Sequence, residues 1–388
     1  MDNERLLEKF FEWFGSMDER PRLFFAPGRV NLIGEHTDYN GGYVLPCAIQ
    51  YGTYLAVRQI EEPLIRFASE NFSYTSDIPL DKLTVKINDQ WVNYPLGIFT
   101  QFGQRNTRFG GLEMYFSGDI PNGAGLSSSA SIEMVTAFAL NRICSAGLGL
   151  PDLIKLSQRA ENEFVGVNCG IMDQFAVGMG EKDHALFLNC LTLENKMVPL
   201  ILSGIRLVIV NTNKKRGLAD SKYNERVAEC QQAVSYLSKY FDISKLGEVS
   251  FMQFYKMQDR IPDEVIRRRA RHVISENQRV LNAVSALWNN EILQFGALMN
   301  ASHESLRDNY EVTGIELDTL AEEAWKVNGV IGARMTGAGF GGCTVNLVRE
   351  EAVYRFIAEV GENYKARTGL DAVFYLGEIS DGVREITI

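Results

Sequence analysis

Paired cysteine is the first thing this chain lacks. Cys47, Cys144, Cys169, Cys190, Cys230 and Cys343 are scattered, with no CxxC pair. A zinc site or a disulfide framework has no spacing to rest on, and buried free thiols in a reducing cytoplasm are expected. Long apolar runs are missing too, and none could span a bilayer. The opening stretch, Met1 to Phe11, is acidic and amphipathic, without a basic head or cleavage site, so no signal peptide is expected. Positive charge is in deficit: 39 Lys and Arg face 49 Asp and Glu, a net charge of -10. That balance argues against general binding to nucleic acid or to an anionic membrane. The one basic run, residues 267–272, is diluted by Asp263, Glu264 and Glu276 and reads as a solvated helix face. Low-complexity tracts and solenoid-period repeats are also lacking.

What remains is an ordinary globular composition, 46% hydrophobic and 23% charged, over 388 residues. That length favours two domains. The chain is best read around the small-residue loop Pro121-Asn122-Gly123-Ala124-Gly125-Leu126-Ser127-Ser128-Ser129-Ala130-Ser131. Strand character precedes it in residues 112–116, and helix character follows in residues 132–140. A loop that opens a helix presents unpartnered N–H groups at the positive end of the macrodipole. Gly123 and Gly125 let an anion approach the backbone, and the serine hydroxyls can meet phosphate oxygens or a hard metal ion. No lysine ends the loop, so it is not a Walker loop, and Ser128 stands where a dinucleotide fingerprint needs its third glycine. Taken alone, the loop is equally a turned corner with a capped helix.

The densest polar cluster lies earlier, in Pro27-Gly28-Arg29-Val30-Asn31-Leu32-Ile33-Gly34-Glu35-His36-Thr37-Asp38-Tyr39-Asn40-Gly41-Gly42. Its two close carboxylates and imidazole suit a polyhydroxylated ligand. One histidine with two carboxylates is a weak metal pattern. A strand over residues 23–26 leads into it, and glycines suggest a sharply turned loop beyond. Further strands are expected at 51–58, 64–68, 185–188, 205–211 and 343–348. Helices are expected from Trp91, over 151–164 and through much of 220–300. Asp173 sits among apolar residues, where an unpaired carboxylate is expensive, so a cation, a cap or a ligand hydroxyl must meet it. Glu161 and Glu163 share a helix, and nothing local chooses between them as a metal ligand. Residues 337–342 hold four glycines, which permit close backbone approach. His303 has no partner spacing and reads as structural.

The run from Pro27 to Gly42 resembles the signature of galactokinases, members of the GHMP group of small-molecule kinases. The glycine-serine loop and the turn at 333–342 resemble that group's second and third motifs, in the family's order. The resemblance implies an α+β fold of two GHMP kinase domains, 1–200 and 201–388, with mixed sheets, helices and an active site in the inter-domain cleft. It implies ATP and Mg2+, with galactose as the acceptor. It gives Asp173 as base with Arg29 as its cationic partner, and Glu35, His36, Thr37, Asp38, Gly170 and Tyr223 as sugar-binding residues. Nucleotide contacts fall to Ser69, Gly123, Ala124, Gly125, Leu126, Ser127, Ser128 and Ser129, and the metal to Ser129 and Glu161. A cytoplasmic monomer with no nucleic-acid or membrane partner is expected. The competing readings are a kinase for N-acetylgalactosamine or another sugar, and a non-catalytic galactose and ATP sensor; the intact serine loop, Arg29 and Asp173 favour the enzyme.

Overall fold

A computed structural model describes residues 3–387 apart from 18, 89, 122–124, 168 and 215–218; the side chains of 219 and 220 are also outside the description. Strands of the first half build a six-stranded mixed sheet. Its order is β13 (Arg384–Ile386), β1 (Arg22–Asn31), β3 (Pro46–Ile60), β6 (Gly111–Gly118), β4 (Leu64–Ser69) and β5 (Ser76–Pro79). Only the β4–β6 pair is parallel. Alternation along the strands decides the layers. Phe24, Ala26, Leu55, Val57, Phe67 and Met114 face α2 (Asn93–Gly103), α3 (Ser128–Ile143), α4 (Leu150–Arg159) and α5 (Met172–Met179). Leu23, Ala56 and Tyr115 face the other way, onto Leu6 and Phe10 of α1 (Asn3–Phe14).

A three-stranded sheet, β2 (Tyr43–Val44), β7 (His184–Asn189) and β8 (Asn195–Pro199), follows the signature loop. The second half centres on an antiparallel sheet ordered β10 (Val330–Thr336), β11 (Cys343–Arg349), β9 (Ile205–Asn211) and β12 (Val373–Gly377). Val208 and Val210 face α10 (Gly314–Lys326) and α11 (Val353–Thr368). Leu207 and Ile209 face α8 (Glu264–Trp288) and α9 (Ile292–Ser305), in a core shared with Val30, Leu32 and Ile33 of the first half. A further core joins α6 (Ala219–Leu237) and α7 (Phe251–Met257) to α8.

Three elements depart from the sequence reading. Strand β1 runs through Pro27 and Gly28 to Asn31, where a loop was expected to begin. The helix expected over 151–164 ends as α at Arg159 and widens into a π turn, Ala160–Val165. The chain also returns to its start, because β13 pairs with β1.

Arg58 and Glu113 form a buried ion pair across β3 and β6, at 2.9 and 2.7 Å, with Arg66 completing it at 2.8 Å. The Arg58 guanidinium also lies over the Phe10 ring of α1. Truncating one partner leaves the other buried and under-compensated. Arg58→Met is therefore expected to cost about 3 kcal/mol of unfolding free energy, read by urea denaturation.

Candidate active site

Arg29 leaves β1 as a fork on Asp173. Its Nε donates to Oδ1 at 2.8 Å and its NH2 to Oδ2 at 2.7 Å. Its NH1 donates to the Gly125 carbonyl at 2.8 Å, and its own N–H to the Leu126 carbonyl at 3.1 Å. Asp173 stands in the first turn of α5, where the macrodipole favours a carboxylate. Ser127 adds a third donor, its Oγ 2.5 Å from Oδ2. Among the described residues Oδ2 is met twice and Oδ1 once, which leaves one lone-pair position on Oδ1 open.

A cavity of about 310 Å³ opens beside this pair, lined by Glu35, His36, Asp38, Cys169, Gly170 and Tyr223 among others. Glu35 bridges the halves of the chain. Its Oε2 accepts from Asn31 and, at 3.2 Å, from Arg334; its Oε1 accepts from the Gly337 N–H. Burial pushes its carboxyl up, and the Arg334 charge opposes this. Asp38 is pushed up to about 7, first by burial and then by the neighbouring Asp173 carboxylate. Gly170 leaves room for it: a Cβ there would lie 1.8 Å from Asp38 Oδ2. His36 has a left-handed backbone, φ 61°. Its Nδ1 meets the Tyr39 hydroxyl at 2.9 Å and its Nε2 the Ala338 carbonyl at 3.2 Å.

The glycine-serine loop lies against both other motifs. A Cβ on Gly28 would stand 2.7 Å from the Leu126 carbonyl, and one on Gly337 would stand 3.3 Å from that of Gly125. Ser127 precedes α3 with φ 62° and makes no side-chain cap. The first-turn N–H groups of α3 therefore lack the usual capping acceptor. Beside that turn is a second cavity of about 120 Å³, lined by Ser69, Phe72, Trp91, Tyr94, Ser128 and Ser129 among others. Trp91 stacks on Phe72 with planes 16° apart. Glu161, on the π turn, is 5% exposed and accepts from Gln174 at 2.7 Å and Cys169 at 3.3 Å. Burial raises its carboxyl, and the Ser129 hydroxyl is the largest opposing influence.

The structure thus gathers Arg29, Glu35, His36, Asp38, Glu161, Gly170, Asp173 and Tyr223 around one cavity, and Ser69, Ser128 and Ser129 around the next. Four of the expected site residues make contacts within the protein. Thr37 does not line the sugar-side cavity; its hydroxyl is fully buried within reach of the Gly34 and Tyr43 carbonyls, at 2.8 and 2.7 Å. The Ser127 hydroxyl is engaged by Asp173 instead of standing free for phosphate. Leu126 contributes its carbonyl to Arg29 and its side chain to the core. Both ring nitrogens of His36 are taken by the protein. Gly123 and Ala124 lie outside the described residues. Sequence reasoning did not single out Cys169 and Asn224 in the first cavity, or Phe72 and Tyr94 in the second, while Gly337 and Ala338 belong to the glycine-rich turn it did single out. Asn224 follows Tyr223 directly, which was the available signal. Trp91 carried an aromatic one but was equally a core residue. His303 is buried between the Met335 N–H and Asp318, a structural position as expected.

Two α+β halves meeting at a cavity, with a glycine-serine loop heading a helix and a glycine-rich turn against it, define a GHMP small-molecule kinase. Family models agree: the GHMP kinase N-terminal domain matches residues 93–181, the GHMP kinase C-terminal model residues 283–366, and the galactokinase galactose-binding signature residues 8–59. Galactokinase of Fusobacterium nucleatum is 50% identical over 99% of both chains, and that of Clostridium acetobutylicum is 51% identical over 94% of both. The crystal structure of Lactococcus lactis galactokinase complexed with galactose superposes with a TM-score of 0.96 at 44% identity, covering 99% of each chain. The chain belongs to the galactokinase family.

Burial holds two imidazoles of this region neutral: it is the largest influence drawing His36 down to about 3 and His272 to about 4. Their 15N resonances are expected to report neutral rings from pH 8 down to pH 5. A His36 ring protonated at pH 6 would contradict this geometry.

Proposed function

We infer that the chain transfers the γ-phosphoryl group of ATP to the anomeric hydroxyl of α-D-galactose, giving galactose 1-phosphate and ADP. The observation that carries this reading is the Arg29 fork on Asp173, set between the signature loop and the glycine-serine loop. Asp173 Oδ1 has the open lone pair, so it takes the proton of the attacking hydroxyl. Among the described residues Arg29 keeps two N–H groups beyond the three it uses on Asp173 and Gly125, and these meet charge developing on the transferred phosphoryl group. Phosphates rest on the open N–H groups at the start of α3, with Ser128 beside them. The base lies in the cavity of Ser69, Trp91 and Phe72. Positioning and electrostatics dominate such transfers, so a base oriented by the Arg29 fork suffices.

Mg2+ fits the donors present. Ser129 and Glu161 offer a hydroxyl and a carboxylate, hard oxygens that leave room for water and phosphate ligands. Among the described residues no cluster of three or more His, Cys, Asp and Glu could hold an ion without such help. When bound, the ion offsets phosphate charge that a Walker lysine would otherwise meet. Gln174 and Cys169 hold Glu161 in place.

On the sugar side, Asp38 and the free lone pair of Glu35 Oε1 accept from sugar hydroxyls, while Tyr223 and the His36 ring form a wall. The working unit is taken as a monomer. The described cysteines are free thiols, which supports a reducing, cytoplasmic setting. We place the domain boundary near residue 200, with β13 restored to the first domain.

ADP release from Mg-ATP with galactose, and its loss by about 10²- to 10⁴-fold in Asp173→Asn with galactose binding retained, is the expected result. Release only with N-acetylgalactosamine would keep the kinase and change its sugar. Tight binding of galactose and ATP without release would make the protein a sensor. A second outcome concerns pH. If ionised Asp38 is the form that accepts from the sugar, binding releases a proton. Galactose affinity then rises as pH climbs through about 7 and levels off above it. Calorimetry in buffers of differing ionisation heat reads that proton, and pH-independent affinity would remove Asp38 from the sugar contacts.

A further inference from the structure

A backbone carbonyl can only accept. The 3.2 Å contact of His36 Nε2 with the Ala338 carbonyl therefore places the imidazole proton on Nε2. Nδ1 must then accept, and the Tyr39 hydroxyl donates to it at 2.9 Å. The Tyr39 oxygen in turn accepts from Tyr310 at 2.7 Å, and the Tyr310 oxygen accepts the Cys230 thiol at 3.1 Å. One proton-free acceptor thus fixes the direction of four successive hydrogen bonds. Reversing them would set the bare Nε2 lone pair against a carbonyl oxygen. The members come from separate places: Cys230 from α6, Tyr310 from the π turn after α9, Tyr39 and His36 from the signature loop, and Ala338 from the glycine-rich turn. Cys230 and Tyr310 are buried. The Tyr310 ring lies between His36 and His272, at 4.9 and 4.6 Å between centroids. Tyr223 packs on both His36 and Tyr39, at 5.7 and 5.2 Å.

We propose that Tyr39 is a positioning residue for the sugar cavity. Its hydroxyl, held by Tyr310 and Cys230, fixes His36 as the Nε2–H tautomer against Ala338 and Tyr223, and so sets the wall that the hexose meets. The proposal rests on the sugar-kinase reading above. His36 then has no N–H to give the sugar, and this side of the cavity selects by shape. Tyr39 is not itself among the residues lining that cavity. Its loss should loosen the wall without removing a group from the reacting atoms.

Tyr39→Phe and Tyr310→Phe keep ring volume and delete one hydroxyl each. In Tyr39→Phe the galactose KM is expected to rise about tenfold, the equivalent of one buried hydrogen bond, with kcat and the KM for Mg-ATP within about twofold. Tyr310→Phe should shift the galactose KM the same way by less. In the wild-type protein, 15N NMR should show His36 Nδ1 as a hydrogen-bonded acceptor; in Tyr39→Phe that resonance should move toward the free-acceptor value or split between tautomers. A lowered thermal midpoint with unchanged galactose KM and unchanged His36 resonances in both variants would reduce the relay to a packing feature and overturn the proposal. Should Tyr39→Phe fail to fold, Tyr310→Phe carries both readouts alone. If wild-type protein phosphorylates no galactose, the functional reading fails, while a wild-type His36 found as the Nδ1–H tautomer would overturn the relay separately.

Discussion

The Arg29–Asp173 fork is the constraint on which the site depends. It cannot form unless β1, the loop before α3 and the head of α5 converge within hydrogen-bond reach. Gly28 makes the approach possible, because a side chain there would strike the Leu126 carbonyl. The register of β1 on β3 shifts between Pro27 and Gly28, where proline has no N–H to give the ladder. One residue later the strand delivers Arg29. The sheet is irregular at the point where the chemistry requires a cation.

Glu35 plays the corresponding part between the halves. Asn31 approaches it from the first half, and Arg334 and Gly337 from the second. The core beneath is common to both, with Val30, Leu32 and Ile33 packed among Ile209, Val280 and Val345. The halves thus share an apolar core, and the Glu35 carboxylate of the cavity is held by donors from two directions. Desolvation and carboxylate proximity both push the Asp38 carboxyl up, so its charge responds to what fills the space.

Much of this was legible in the sequence. The three motifs named the residues that meet, and strand and helix periodicity placed most of the elements around them. What stayed hidden was the use to which polar groups are put. A serine in a phosphate loop reads as a phosphate ligand, but Ser127, with a left-handed backbone, gives its hydroxyl to Asp173. Thr37 reads as part of a sugar motif but closes its own turn. The widening of the helix at Ala160–Val165 follows from no propensity, since a π turn is set by tertiary context, and Glu161 sits on it. Strand β13 is too short to carry a period and is defined only by its partner.

The return of the chain to β1 has a mechanical meaning. The second half leaves the first after β8 and rejoins it at β13, with the Gln50 N–H on the Glu378 carbonyl and Ile49 bridged to Ile379 on the way. A second tether removes freedom that a single flexible linker would leave. Two covalent crossings, with the shared core between them, therefore restrain relative movement of the halves more than a single linker would.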